Sequence, residues 1–251
     1  NRTITKRELI MKIAFIGDSY SAYEQDGQYK EHWSYKLAQQ FPQHQYYNYA
    51  LGGRGVDHHQ WCILDAKKRE IDVVFINRTF NHRVAQQYGD DDFSFSEKLI
   101  SDNYSTMTAP NHAWFSGHAN EYSPLHIIGN GGHHPIKDQL TASIQDRSIS
   151  VQNQQYNDQW FDNVDQLYNF KHVIKLELLP IPESGSASHL LEKHADLSRV
   201  MFKTGAKKSE IFYNAGFTIS LTDDHWSPTA NTWVLENFIL SQKTIDILNN
   251  S

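Results

Sequence analysis

Cysteine is almost missing from this chain. Cys62 is the only one, so no internal disulfide can form and a Cys-based structural zinc site is excluded. It lies in an apolar stretch, Trp61-Cys62-Ile63-Leu64, and is expected to be a small buried residue. No run of apolar residues is long enough for a transmembrane helix, and no membrane partner is expected. Positive charge is in deficit: 23 Lys and Arg against 29 Asp and Glu leave a net charge of −6, which argues against a general nucleic-acid binder. The 14 histidines are scattered (His58-His59, His112, His118, His133-His134) and match no metal signature, so no metal site is expected. Internal repeats and low-complexity linkers are also lacking, which predicts one domain over residues 11–245. Residues 1–10, NRTITKRELI, are too polar for a signal peptide. The expected natural start is Met11, with 1–10 a leader fragment or an expression remnant. A cytoplasmic location is the simplest fit, although a removed export signal would leave no trace.

What is present is a globular composition, 39% hydrophobic and 21% charged, over 251 residues. The organising stretch is Met11–Ser21, MKIAFIGDSYS. Ile13-Ala14-Phe15-Ile16 is a short apolar run bounded by Gly17, the pattern of a buried parallel strand. Helical spacing over Trp33–Phe41 ends before Pro42, and Tyr46–Ala50 is a second strand running into Leu51-Gly52-Gly53-Arg54-Gly55. A second helix is predicted over Asp57–Arg69, with Trp61, Leu64 and Lys68 on related faces, and a third strand over Asp72–Ile76. Strand, helix, strand, helix, strand predicts a parallel sheet. Between Val84 and Phe170 the pattern breaks down. Candidate helices at Phe95–Asp102 and Trp160–Leu167 suggest that 84–170 is a helical or loop insertion lying over the site. Trp114, Phe115, Tyr122 and Trp160 either line it or simply pack it. His172–Leu179 is a fourth strand, Leu190–Phe202 a helix, Phe217–Leu221 a short fifth strand, and Thr229–Leu240 the last helix.

Polar or glycine-rich turns follow these strands, and parallel strands present such turns on one edge, where ligands bind in open α/β sheets. Ser19, directly after Gly17-Asp18, is a candidate nucleophile; the plainer reading is that Asp18 or Ser19 caps the next helix. A serine hydroxyl needs a base, which His225 supplies, and the imidazole needs an orienting acceptor, for which Asp223 is placed. The oxyanion needs donors: the backbone N–H of Ser19, that of Gly53 and the side-chain amide of Asn81. Arg54, Arg78 and Arg83 lie close to the same edge and suit an anionic group on a substrate, or else structural ion pairs. The run LGGRG lacks the Lys-Ser/Thr of a P-loop and the GxGxxG spacing, which discounts nucleotide binding.

Taken together these residues resemble the SGNH (GDSL-like) hydrolase family. Gly17-Asp18-Ser19 matches the nucleophile block, Ala50-Leu51-Gly52-Gly53 the glycine block, Asp72–His82 the strand ending in Gly-x-Asn-Asp with Asn81 at its asparagine, and Asp223-Asp224-His225 the final acid–base block. The order is the family's, from Met11 to about Leu240. The chain departs from the pattern at Thr79, where Gly is usual, and at His82, where Asp is common; Asn77 is a competing amide. The last block usually reads Asp-x-x-His, which would place the acid at Thr222. The spacing here, Asp223-x-His225-Trp226, is similar to that of the alginate O-acetyltransferase branch. Asp223 is preferred to Asp224, which points away from its neighbour His225 in an extended segment. The resemblance implies a three-layer α/β/α flavodoxin-like fold with a parallel central sheet. It also implies a serine esterase that removes a small acyl group, acetyl above all, from a carbohydrate or other polar ester, without metal or organic cofactor. An O-acetyltransferase using the same triad, and a non-catalytic glycan- or protein-binding module on this fold, are the alternatives. The oligomeric state is not legible.

Overall fold

The structure is a computed structural model that describes residues 10–21, 28–50, 55–79, 84–87, 96–98, 112–116, 125–128, 151–178, 208–219 and 225–249. Eight strands occur in it: β1 (Lys12–Ile16), β2 (Gln45–Asn48), β3 (Val73–Asn77), β4 (Val84–Gln87), β5 (Ser96–Lys98), β6 (His112–Ser116), β7 (Leu125–Ile128) and β8 (His172–Leu176). Six of them form one sheet in the order β5-β6-β2-β1-β3-β8. Every neighbouring pair from β6 to β8 is parallel, while β5 runs antiparallel to β6 at the edge. β4 and β7 make a separate antiparallel pair.

β1 is flanked on both sides, with Phe15 opposite Asn48 of β2 and Phe75 of β3. Both of its faces are covered, which is why it reads as a continuous apolar run and not as an alternation. The strand period of two still sorts its side chains between two cores. Ile13, Phe15, Val73 and Phe75 face one core. There they meet α1 (Trp33–Gln40), α5 (Pro228–Val234), the π-helical turn Leu235–Ile239 that continues it, and α6 (Gln242–Asn249), through Trp33, Leu37, Ala230, Val234 and Leu248. The Phe15 ring packs edge-on against Trp33 at 5.4 Å. Ala14, Ile16, Val74 and Ile76 face the other core, against Cys62, Ile63 and Ala66 of α2 (Val56–Lys68) and Trp160, Phe161 and Val164 of α3 (Val151–Tyr168). The described chain is thus an α/β structure with a parallel central sheet and helices on both faces. A further helix, α4 (Lys208–Asn214), lies where no element is predicted; its Phe212 joins the first core.

The helix ends follow local chemistry. The His32 imidazole accepts from the Ser34 N–H at the start of α1, and Ser227 caps α5 with Pro228 in its first turn. After α2 the chain turns through Glu70 at φ 56°. The Glu70 N–H donates to the Lys67 carbonyl and the Ile71 N–H to the Ala66 carbonyl, a Schellman closure that delivers the chain into β3.

The first five elements match the predicted order closely. Several expectations are corrected. Residues 95–102 are not a helix within the described part: Ser96–Lys98 is β5, because pairing with the exposed edge of β6 outweighs local helical spacing. The 84–170 segment is expected as a helical or loop insertion or cap. It contributes β5 and β6 to the main sheet and α3 to one core, so Trp160 is a packing residue. The helix predicted over Trp160–Leu167 starts earlier, at Val151. The core face of α2 is Val56, His59, Cys62, Ile63 and Ala66, while Leu64 is exposed. The fourth strand ends at Leu176. Of the strand predicted over Phe217–Leu221, Phe217, Thr218 and Ile219 are described, and they carry an isolated antiparallel bridge between Thr218 and Trp226 in place of a strand of the sheet; Ser220 and Leu221 lie outside the described residues. The helix predicted over Leu190–Phe202, and Tyr122, lie outside the described residues.

Candidate active site

The site is built at the carboxyl end of β1. Gly17 is required there by close approach: a Cβ on it would lie 2.7 Å from the Ser21 hydroxyl and 3.0 Å from the Asn77 Cβ. Asp18 to Ser21 form a tight turn, in which the Ser21 N–H donates to the Asp18 carbonyl at 2.9 Å. The Tyr20 N–H donates to the Asp18 carboxylate at 3.1 Å, an Asx turn. Asp18 therefore organises this turn locally. Within it Asp18, Tyr20 and Ser21 are buried and Ser19 alone is partly exposed. A nucleophile needs that combination of a rigid backbone and an accessible side chain.

The neighbouring strand ends are tied to the same turn. Asn48, the last residue of β2, donates from its amide to the Ser21 carbonyl at 3.2 Å, and its oxygen accepts from the Ala50 N–H. Asn77, the last residue of β3, donates to the Asp18 carboxylate at 3.3 Å and accepts from the Leu178 N–H at 3.0 Å. Thr79 donates to the other Asp18 oxygen at 3.1 Å. Asn77, the competing amide, is thus engaged in holding the turn. Sequence reasoning missed Asn48, and the signal was there: an Asn in last place on a buried strand has to send its amide somewhere.

Tyr20 brings in the far end of the chain. Its ring stacks on the His225 imidazole, with centroids 5.1 Å apart and an interplanar angle of 25°, and lies against Trp226 at 5.9 Å. The His225 carbonyl accepts from the Ile219 N–H, and the Ser227 N–H donates to the Phe217 carbonyl, so the antiparallel bridge holds this segment from one side. From the other side the Trp226 indole donates to the Leu178 carbonyl beyond β8 at 3.1 Å. His225 thus packs against the ring of Tyr20, the residue that follows Ser19 in the turn.

His32 is a second imidazole at this place, and sequence reasoning did not single it out. It hydrogen-bonds the Tyr20 backbone and is close enough to His225 to feel its charge. Burial pushes its pKa down to about 3; the Tyr20 hydrogen bond opposes this and the neighbouring His225 adds to it. His32 therefore stays neutral across the ordinary pH range. The Trp33 indole also donates to the Tyr20 carbonyl, at 2.9 Å, so the residue after Ser19 is pinned from the start of α1.

Arg78 pairs with Asp158 of α3 and, at 3.6 Å, with Glu177 just after β8, and lies over the Phe161 ring of α3. That is the structural ion pair weighed against substrate binding. Gly53, Arg54, Asn81, Arg83 and Asp223 lie outside the described residues. Among the described residues no group of three His, Cys, Asp or Glu side chains is placed to hold a metal ion. His44 and His58 are packing histidines: His44 accepts from the Met11 N–H and bonds the Leu248 carbonyl, and His58 lies 3.3 Å from the Cys62 sulfur. No described helix is long and apolar enough to cross a membrane. No family model, no curated protein and no solved structure matches this chain.

Proposed function

We propose that this protein is a serine esterase of the SGNH type that removes a small acyl group, acetyl above all, from a carbohydrate or similar polar ester. The observation that carries the reading is the stacking of Tyr20 on His225, which sets the base candidate beside the turn that exposes Ser19. The strand order β2-β1-β3-β8 with helices on both faces is compatible with the flavodoxin-like α/β/α arrangement that the resemblance implies, and supports it. In this mechanism the Ser19 hydroxyl attacks the ester carbonyl while His225 takes its proton. Asp223 orients the imidazole. The N–H groups of Ser19 and Gly53 and the amide of Asn81 donate to the oxyanion as the tetrahedral intermediate forms. His225 then protonates the leaving alcohol, and a water deprotonated by His225 cleaves the acyl-enzyme. No metal or organic cofactor takes part. The same intermediate passed to a sugar hydroxyl would make the protein an O-acetyltransferase, toward which the Asp223-x-His225-Trp226 spacing leans.

Hydrolysis of p-nitrophenyl acetate, alongside labelling by a fluorophosphonate probe, tests this. The wild type should hydrolyse the ester and label. Ser19→Ala should lose both activities, and His225→Ala should lose at least roughly a thousandfold in kcat. A wild type no faster than the variants and inert to the probe would defeat the esterase reading and favour a binding module.

A further inference from the structure

Thr79 has no part in the chemistry above, and it is the position at which the chain departs from the glycine of the pattern it resembles. It is buried, and its hydroxyl donates to the Asp18 carboxylate at 3.1 Å. The carboxylate itself is wholly out of solvent. Its other oxygen accepts from the Tyr20 N–H and the Asn77 amide. These three partners donate to the carboxylate, which suits its ionised form and makes each bond charge-assisted. Asp18 precedes Ser19 directly, and its carbonyl also accepts from the Ser21 N–H. The orientation of the Ser19 peptide therefore depends on how firmly Asp18 is held. Asn77 belongs to β3, whereas Thr79 lies beyond its end, on the way to Asn81.

We infer that Thr79 is a positioning residue: its hydroxyl joins the donors that hold Asp18 and so sets the direction of the Ser19 side chain. A glycine there would leave one oxygen of a buried carboxylate without this donor, and the turn would gain freedom to rotate. The inference rests on Ser19 being the nucleophile.

The test compares Thr79→Val, which keeps the shape and removes the hydroxyl, with Thr79→Ser, which keeps the hydroxyl, in the full chain. Fluorophosphonate labelling rate and steady-state p-nitrophenyl acetate kinetics are read together, with circular dichroism as the check on folding. Thr79→Val should lose about tenfold to a hundredfold in labelling rate and in kcat while KM stays within about twofold. Thr79→Ser should stay within about threefold of wild type. Asp18→Asn, which turns one acceptor oxygen into an NH2 donor, should lose at least as much, and adding Thr79→Val to it should cost less than the two single losses combined, because both act on the same contacts. Should Thr79→Val fail to fold, Thr79→Ala and Asp18→Asn carry the same comparison. If the wild type labels and Thr79→Val labels equally fast, or Thr79→Ser falls as far as Thr79→Val, the inference is wrong while the nucleophile assignment stands. If the wild type itself neither labels nor hydrolyses, the nucleophile assignment fails and takes the inference with it.

Discussion

Residue by residue, the turn after β1 combines one choice visible in the sequence with one that is not. Gly17-Asp18-Ser19 is recognisable because a glycine after an apolar run, followed by two small polar residues, is a tight turn in almost any context. His32 carries no such mark. It looks like an ordinary polar residue before a helix, and only the packing of α1 against β1 withdraws most of its ring from water. That burial has a consequence for stability. The unfolded chain takes up a proton at His32 near pH 6.5, whereas the folded chain resists it until about pH 3. Stability from this group is therefore present above about pH 6.5 and is lost as pH falls toward 3. His32→Asn keeps an oxygen to cap α1 and removes the titration. The stability advantage of wild type over His32→Asn should shrink by about 1 kcal/mol between pH 7 and pH 5, discounted because the side chain keeps some exposure. Urea unfolding at both pH values measures it, and parallel curves would refute it.

Among the elements, the helix ends show where local sequence suffices and where it is overruled. Phe41-Pro42 stops α1 as expected, since the residue before a proline avoids the helical region. Glu70 is a different case: it takes a left-handed φ that suits glycine, because the Schellman bonds to Lys67 and Ala66 require that turn into β3. Glu70→Gly should raise stability by about 0.5–1 kcal/mol in urea unfolding with an unchanged m value. A loss of stability would mean that the Glu70 side chain contributes more than its backbone costs. The segment FTISL shows the limit of pattern reading. Its alternation suits a strand, yet Phe217 is buried and Ile219, two places on and of the same parity, is exposed. Its described part meets Trp226 in an isolated antiparallel bridge, a partner too short to register in a periodicity count. β5 is the same lesson reversed, since an open sheet edge recruits three residues whose spacing looked helical.

For the whole molecule, the far end of the chain closes the core that the near end opens. Leu248 of α6 is buried, its carbonyl takes the His44 ring nitrogen at 2.9 Å, and the other nitrogen of that ring accepts from the Met11 N–H at the start of β1. Deleting residues 242–251 should cost about 3 kcal/mol, a buried leucine plus one lost hydrogen bond, and lower Tm by about 6–12 °C in calorimetry. An unchanged Tm would show that α6 is dispensable to the core. Much of the architecture was already in the sequence: β1, β2, β3 and β8, the helices between them and the polar turns at their ends. These follow from short apolar runs and breakers, which act over a few residues and are written in order along the chain. What only the tertiary structure decided is which of those turns meet. Nothing local says that Tyr20 will stack on His225, that Asn77 and Thr79 will close on Asp18, that Arg78 will turn to Asp158, or that part of residues 84–170 will extend the sheet. Those outcomes depend on contacts between positions far apart in sequence, whose pairing and burial energies exceed local preference and have no fixed spacing by which to be read.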